Sequence, residues 1–164
     1  MSYLVFISFQ SSDSKLAGLI RNALQGQGIS VFLAPDSISP GARWSDEIFK
    51  SLKSSDMVLF LASKKAIHSD YVAQEIGGAH FSNKLLVPVI WEIKPEELPG
   101  WAKGYQALDL RKLGPVWLNH LSQWIASLKD QKNKNSFYNK VALGVLAGLL
   151  VWAGSENDDN NEDV

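Results

Sequence analysis

Compact apolar blocks alternate along this chain with stretches in which apolar residues return every three or four positions. Tyr3–Phe9, Ile29–Leu33, Met57–Ala62 and Leu85–Trp91 are short runs of the first kind, the pattern of strands buried on both faces. Tyr105–Leu110 is a weaker fifth. Ser11, Ser12, Asp13 and Ser14 form a polar loop and helix start. Leu16, Leu19, Ile20, Ala23 and Leu24 follow at helical spacing, closed by Gly26 and Gly28. Pro35, Asp36, Pro40 and Gly41 mark Ala34–Arg43 as a loop. The spacing predicts a second helix over Trp44–Ser54 with Ile48, Phe49 and Leu52 inward. It predicts a third over about Asp70–Phe81 and a last amphipathic helix over Val116–Leu128. Alternating strands and helices imply an α/β fold, a parallel sheet covered on both faces. There is no internal repeat.

The pattern changes after Leu128. Lys129–Lys140 is polar and basic and reads as a linker; Val141–Gly154 is wholly apolar; Ser155–Val164 is an acidic, Asn-rich tail expected to be disordered. A helix over 141–154 reaches about 21 Å, short of the roughly 30 Å hydrocarbon core. Adding Phe137–Lys140, with Lys140 snorkelling, brings 137–154 near the lower limit for a span. Lys129, Lys132, Lys134 and Lys140 precede this stretch and no Lys or Arg follows, which predicts an anchor at the inner membrane with the domain on the cytoplasmic side. Tyr138 and Trp152 would mark the interfaces, and Gly144 and Gly148 allow close helix packing. An apolar helix docked on the domain or on a partner subunit is the alternative.

The 164 residues, 46% hydrophobic and 20% charged, suit one globular domain with a short appendage. A net charge of −1 offers no electrostatic case for nucleic acid. The absence of cysteine excludes disulfides, thiolate metal ligands and a thiol nucleophile, and fits a reducing compartment. Met1-Ser2-Tyr3 leads directly into the first strand, so no signal peptide is expected. His68, His80 and His120 are scattered, and no metal site is expected. No glycine-rich phosphate loop of the P-loop or dinucleotide-fold kind is present.

The chemistry concentrates in Ser69-Asp70-Tyr71-Val72-Ala73-Gln74-Glu75. Tyr71 and Glu75 lie four apart, on one face of the third helix, just after a buried strand. A carboxylate beside an aromatic ring at the carboxyl edge of a parallel sheet is where α/β proteins bind ligands. Gly77-Gly78 is costly inside a helix; it permits close approach of a ligand or neighbouring subunit, or ends the helix early.

Three segments, in order, resemble the TIR (Toll/interleukin-1 receptor) domain in its bacterial branch. Val5-Phe6-Ile7-Ser8-Phe9 is similar to its first box. Ser30-Val31-Phe32-Leu33 followed by Pro35-Asp36-Ser37-Ile38-Ser39-Pro40-Gly41 is similar to its second box and BB loop. Ser69–Glu75 resembles the segment carrying the catalytic glutamate of NAD-consuming members. The resemblance covers about Tyr3–Leu128 and implies a flavodoxin-like fold with a five-stranded parallel sheet. The organisation expected is a TIR domain over 1–128, a linker over 129–140, an apolar helix over 141–154 and a tail over 155–164.

The resemblance implies cleavage of the nicotinamide–ribose bond of NAD+, which is substrate, with no separate cofactor. Nicotinamide is cationic in NAD+ and departs neutral, so no general acid is needed. One carboxylate can stabilise the positive ribose of the transition state, and Glu75 is that residue. Tyr71 stacks on nicotinamide or is a half-buried surface ring. Phe9 and Gln10, at the end of the first strand, belong to the site or, for Phe9, to the core. Asp36 binds ribose or forms a turn after Pro35. Trp44 is a second aromatic wall or a packing residue, and Ser69 touches ligand or caps the third helix. Three positions depart from the family pattern. Ala34-Pro35 stands where a basic residue often precedes the acidic one, and Gln10 where several enzymatic relatives carry a basic residue; both bear on phosphate contacts. Tyr71 replaces a tryptophan and keeps an aromatic surface. The implied product is an ADP-ribose, linear, cyclised or conjugated, and the implied setting is antiphage defence of the Thoeris-like kind, with self-association through TIR domains and a separate effector. The alternative is a non-catalytic adaptor acting by TIR–TIR contact through the BB loop. A response-regulator-like module is a third reading, but it lacks the acidic cluster at the end of the first strand.

Overall fold

The apolar blocks become strands, the three central ones buried on both faces and the edge strand Ser30–Leu33 only partly. In the computed structural model, which describes residues 3–34, 46–70, 77 and 84–134, these are β1 (Leu4–Ser8), β2 (Ser30–Leu33), β3 (Met57–Leu61), β4 (Leu85–Ile90) and β5 (Leu108–Asp109). They form one sheet in the order β2-β1-β3-β4-β5, and every neighbouring pair is parallel. This is the flavodoxin-like order. The winding direction reverses between β1 and β3, so a crevice is expected at their carboxyl ends.

Side chains alternate across the sheet with period two. Tyr3, Val5, Ile7 and Phe9, with Met57, Leu59 and Leu61, pack with residues of α1 (Ser14–Gly26) and of the last helix, α3 (Trp117–Lys134). Phe6, Val58, Phe60 and Ile90 join Ile48 and Leu52 of α2 (Asp46–Ser54), with Leu98 and Ala102. Each large apolar side chain buried this way contributes about 1.5–3 kcal/mol.

Several boundaries differ from the sequence expectation. Phe49 is 54% exposed rather than inward: Ile48 and Leu52, four apart, take the buried face, and Phe49 sits a further 100° or so round the helix. The fifth strand shrinks to Leu108–Asp109. The Asp109 carboxylate accepts the Arg111 N–H at 3.0 Å and turns the chain into the 3-10 segment Leu110–Val116. At the end of α1, Gly28 takes a left-handed φ of 66°. Its N–H reaches the Gln25 carbonyl at 2.9 Å and that of Ile29 the Leu24 carbonyl at 3.1 Å, closing the helix in the way glycine allows.

The last helix runs to Lys134 instead of ending at Leu128. Polar anchors replace the apolar stripe there: Lys129 Nζ donates to the Gln27 and Gly28 carbonyls, and Lys132 pairs with Asp56. Among the described residues no helix is long and apolar enough to cross a membrane. The expected 137–154 span, the acidic tail and the BB-loop segment lie outside the described residues. Of the third predicted helix, Asp70 and Gly77 are helical, and the rest lies outside them.

Candidate functional site

The loops leaving β1, β3 and β4 at the carboxyl edge are tied to one another by side-chain hydrogen bonds. After β1, Gln10 precedes a 3-10 turn, Ser11–Asp13; its Oε1 accepts from Ser11 Oγ at 3.0 Å and from the Ser12 N–H at 3.5 Å. Asp13 Oδ2 accepts from Ser63 Oγ at 2.6 Å, across to the loop after β3. Ser63 is 2% exposed, and its Oγ in turn accepts the Ala66 N–H at 3.0 Å. The next N–H, that of Lys64, donates to Glu92 Oε1 at 2.6 Å, in the loop after β4.

Ala66–His68 is a 3-10 turn that ends at Ser69, whose φ of −88° and ψ of 116° are extended. Asp70, which follows it, is helical. Glu75 follows Asp70 by five positions in the sequence.

The Asp13 carboxyl is raised above its ordinary value. Burial is the largest cause; the Glu92 charge adds to it, and the Ser63 and Ser12 hydrogen bonds and Lys65 oppose it. Asp109 behaves oppositely. Burial works against its charge, but hydrogen bonds from the Arg111 side chain and N–H, together with the guanidinium charge, hold it below the usual range.

The structure locates three of the site residues read from the sequence. Phe9 is 7% exposed and packs in the cluster shared with α1 and α3. Gln10 is half-buried beside it, with its amide oxygen occupied by the turn, and Ser69 is half-buried on the β3 exit loop. Asp36, Trp44, Tyr71 and Glu75 lie outside the described residues. Sequence reasoning placed Asp13 only in a polar helix start and gave Ser63 and Glu92 no role. Among the described residues no group of three His, Cys, Asp or Glu side chains is arranged to hold a metal ion.

A second opening lies on the α1–α3 side, at the ends of β4 and β5. It is an open cleft of about 350 Å3 lined by Leu16, Trp91, Leu110, Arg111 and Trp117. Arg111 is held there by Asp109 at 2.8 and 2.7 Å and by the Ile93 carbonyl at 2.8 Å.

Residues 5–125 match the family described as TIR domain. A Brachypodium distachyon protein named probable 2′ cyclic ADP-D-ribose synthase BdTIR is 29% identical over 98 residues, 58% of this chain and 44% of that one. The match thus spans under half the length of that relative. Among solved structures, the TIR domain of the Toll-related receptor TRR-2 from Hydra magnipapillata aligns with a TM-score of 0.58 at 16% identity, over 73% of this chain and 94% of that one. The TIR domains of the activated Roq1 resistosome, which recognises the pathogen effector XopQ, align with a TM-score of 0.51 at 23% identity, over 93% and 84% of the two chains. A metazoan TIR-STING receptor from C. gigas gives 0.55 at 22% identity, over 73% and 38%. Similarity at these identities is similarity of fold. It agrees with a family match running from β1 into the last helix, and the chain accordingly belongs to the TIR domain family.

Proposed function

We propose that this chain cleaves the nicotinamide–ribose bond of NAD+ and releases nicotinamide and an ADP-ribose-type signal. The observation that carries this reading is the 98-residue relationship to a protein named as a probable cyclic ADP-ribose synthase. Glu75 is the proposed catalytic carboxylate. As the C–N bond breaks, its electron pair leaves with nicotinamide, which departs neutral, and positive charge gathers on the ribose. A carboxylate held at that carbon stabilises the charge without a proton transfer. Capture by water gives ADP-ribose, and capture by a nucleophile of the same molecule gives a cyclic product, in each case with one proton released to solvent.

Tyr71, Asp36, Trp44, Gln10 and Ser69 are the proposed substrate contacts, with Phe9 supporting the edge of the site from the core. Copies of the domain associate in this proposal, so the assay belongs under conditions that favour assembly. The proposed setting is immune signalling, with the product acting on a separate effector.

Nicotinamide release by the purified full chain, compared with Glu75→Gln, tests the reading. The expected result is turnover by the wild type and a loss of about 100-fold or more in the variant. No release from concentrated, assembled wild type, or equal release by both, overturns it in favour of a non-catalytic adaptor.

A further inference from the structure

We propose that Asp13 and Ser63 form a positioning clamp that ties the β3 exit loop, and with it the helix entry at Ser69–Asp70 that precedes Glu75 in the sequence, to the turn after β1; the inference rests on the NAD+-cleaving reading above. Asp13 occupies the position before α1, where an aspartate ordinarily caps the helix by accepting one of its free N–H groups. Here its side chain makes no such bond. It reaches Ser63 instead, 50 positions away, at 2.6 Å.

A hydroxyl has one proton to donate. Asp13 takes it, which fixes the direction of the Ser63 O–H and leaves a lone pair for the Ala66 N–H at 3.0 Å. That bond starts the turn Ala66–His68, which delivers the chain through Ser69 to the helical Asp70. The other half of the clamp is equally constrained: the Asp13 N–H donates to the Gln10 carbonyl at 2.7 Å, directly after β1.

The arrangement forgoes a helix cap worth about 1 kcal/mol. It also holds a carboxylate partly out of water, facing Ser12 on its own turn, Ser63 and Lys65 on the β3 exit loop and Glu92 on the β4 exit loop. A site that sets aside a local rule in this way is expected where function requires the geometry. In this proposal the clamp acts on catalysis by positioning the helix entry that leads to Glu75, not by binding substrate.

Asp13→Ala removes the acceptor, whereas Asp13→Asn keeps an oxygen for the Ser63 hydroxyl. The expected result for the full chain is that Asp13→Ala lowers kcat about tenfold or more while KM for NAD+ stays within about twofold, because misplacement affects the transition state more than binding. Asp13→Asn restores most of the turnover. The melting temperature of Asp13→Ala does not fall in step with kcat, since losing the carboxylate also relieves its burial and the Glu92 charge. Hydrogen exchange reads the clamp without activity: amides from Ala66 to Asp70 exchange faster in Asp13→Ala and in Ser63→Ala. Unchanged exchange there, or an Asp13→Ala kcat within about twofold of wild type, overturns the clamp. An inactive wild type, or a fully active Glu75→Gln, overturns the catalytic reading instead and leaves exchange to decide the clamp.

Discussion

Lys132 and Asp56 pair at 2.5 Å across 76 positions of sequence, fastening the last helix to the amino edge of the sheet. The same carboxylate accepts the Leu4 N–H at 2.9 Å, so one side chain serves both the first strand and the last helix. Lys132 Nζ also lies 5.8 Å from the centre of the Tyr3 ring. The two partners are therefore unequal. Asp56→Ala strands the Leu4 N–H and is expected to cost about 1–3 kcal/mol. Lys132→Met keeps an apolar stem over Tyr3 and removes a solvent-screened pair, for under about 1 kcal/mol. Urea unfolding of both variants measures the difference, and equal midpoints would count against it.

Gly77 is helical, and among the described residues a Cβ added there meets nothing within 4 Å. In the free chain Gly77→Ala is expected to stabilise by about 0.5–1 kcal/mol, through lost freedom of the unfolded chain. Thermal melting of the isolated domain checks this, and a lower midpoint would contradict it. If the glycine serves close approach of ligand or of a second copy, the same variant loses turnover or assembly while melting higher.

Strand positions were legible in the sequence because β1, β3 and β4 are buried on both faces and read as continuous apolar runs. Of the α1 stripe read from spacing, Ile20 and Leu24 are buried; Ala17, which joins them, was not in that reading, and Leu19 is 46% exposed. Three features were not legible. The continuation of α3 to Lys134 depends on polar anchors at Gln27, Gly28 and Asp56, and periodicity does not register them. The Asp13–Ser63–Ala66 chain joins two loops through side-chain oxygens, and a one-dimensional pattern does not pair positions 50 apart. The cleft between Trp91 and Trp117 was hidden for the same reason. The catalytic role of Glu75 is a proposal that rests on the family resemblance; as a residue type alone a glutamate reads as a solvated carboxylate.

Asp109 and Asp13 are expected to give pH dependences of opposite sign. Folding favours the ionised form of Asp109, which is held below the usual range. Its contribution is present above the unfolded carboxyl value of about 3.9 and is lost as pH falls through the folded one. Asp109→Asn therefore lowers stability at neutral pH, and the difference closes in acid. Folding disfavours the ionised form of Asp13. The stability it contributes is present when the carboxyl is protonated and is lost as pH rises through its raised folded value. Asp13→Asn therefore melts higher than wild type near neutrality, and the gain fades as pH falls. Melting temperatures of both variants between about pH 3 and 7 check this, and differences of the same sign at neutrality would refute it.

Phe9 and Gln10 are neighbours proposed at one site, yet the structure gives them different local work, and substitution separates the two. Phe9 is buried against the α1–α3 core, so Phe9→Ala is expected to cost about 3–5 kcal/mol by leaving a cavity. Its turnover falls with the folded fraction, whatever contact the ring makes with substrate. Among the described residues the Gln10 side chain makes exposed bonds of 3.0 and 3.5 Å to the following turn. Gln10→Ala is expected to change stability by less than about 0.5 kcal/mol, so a fall in kcat/KM for NAD+ in that variant reports a contact with substrate directly. Measuring unfolding and turnover on the same samples decides the matter. If Gln10→Ala keeps both stability and kcat/KM, Gln10 is a turn residue and leaves the proposed site.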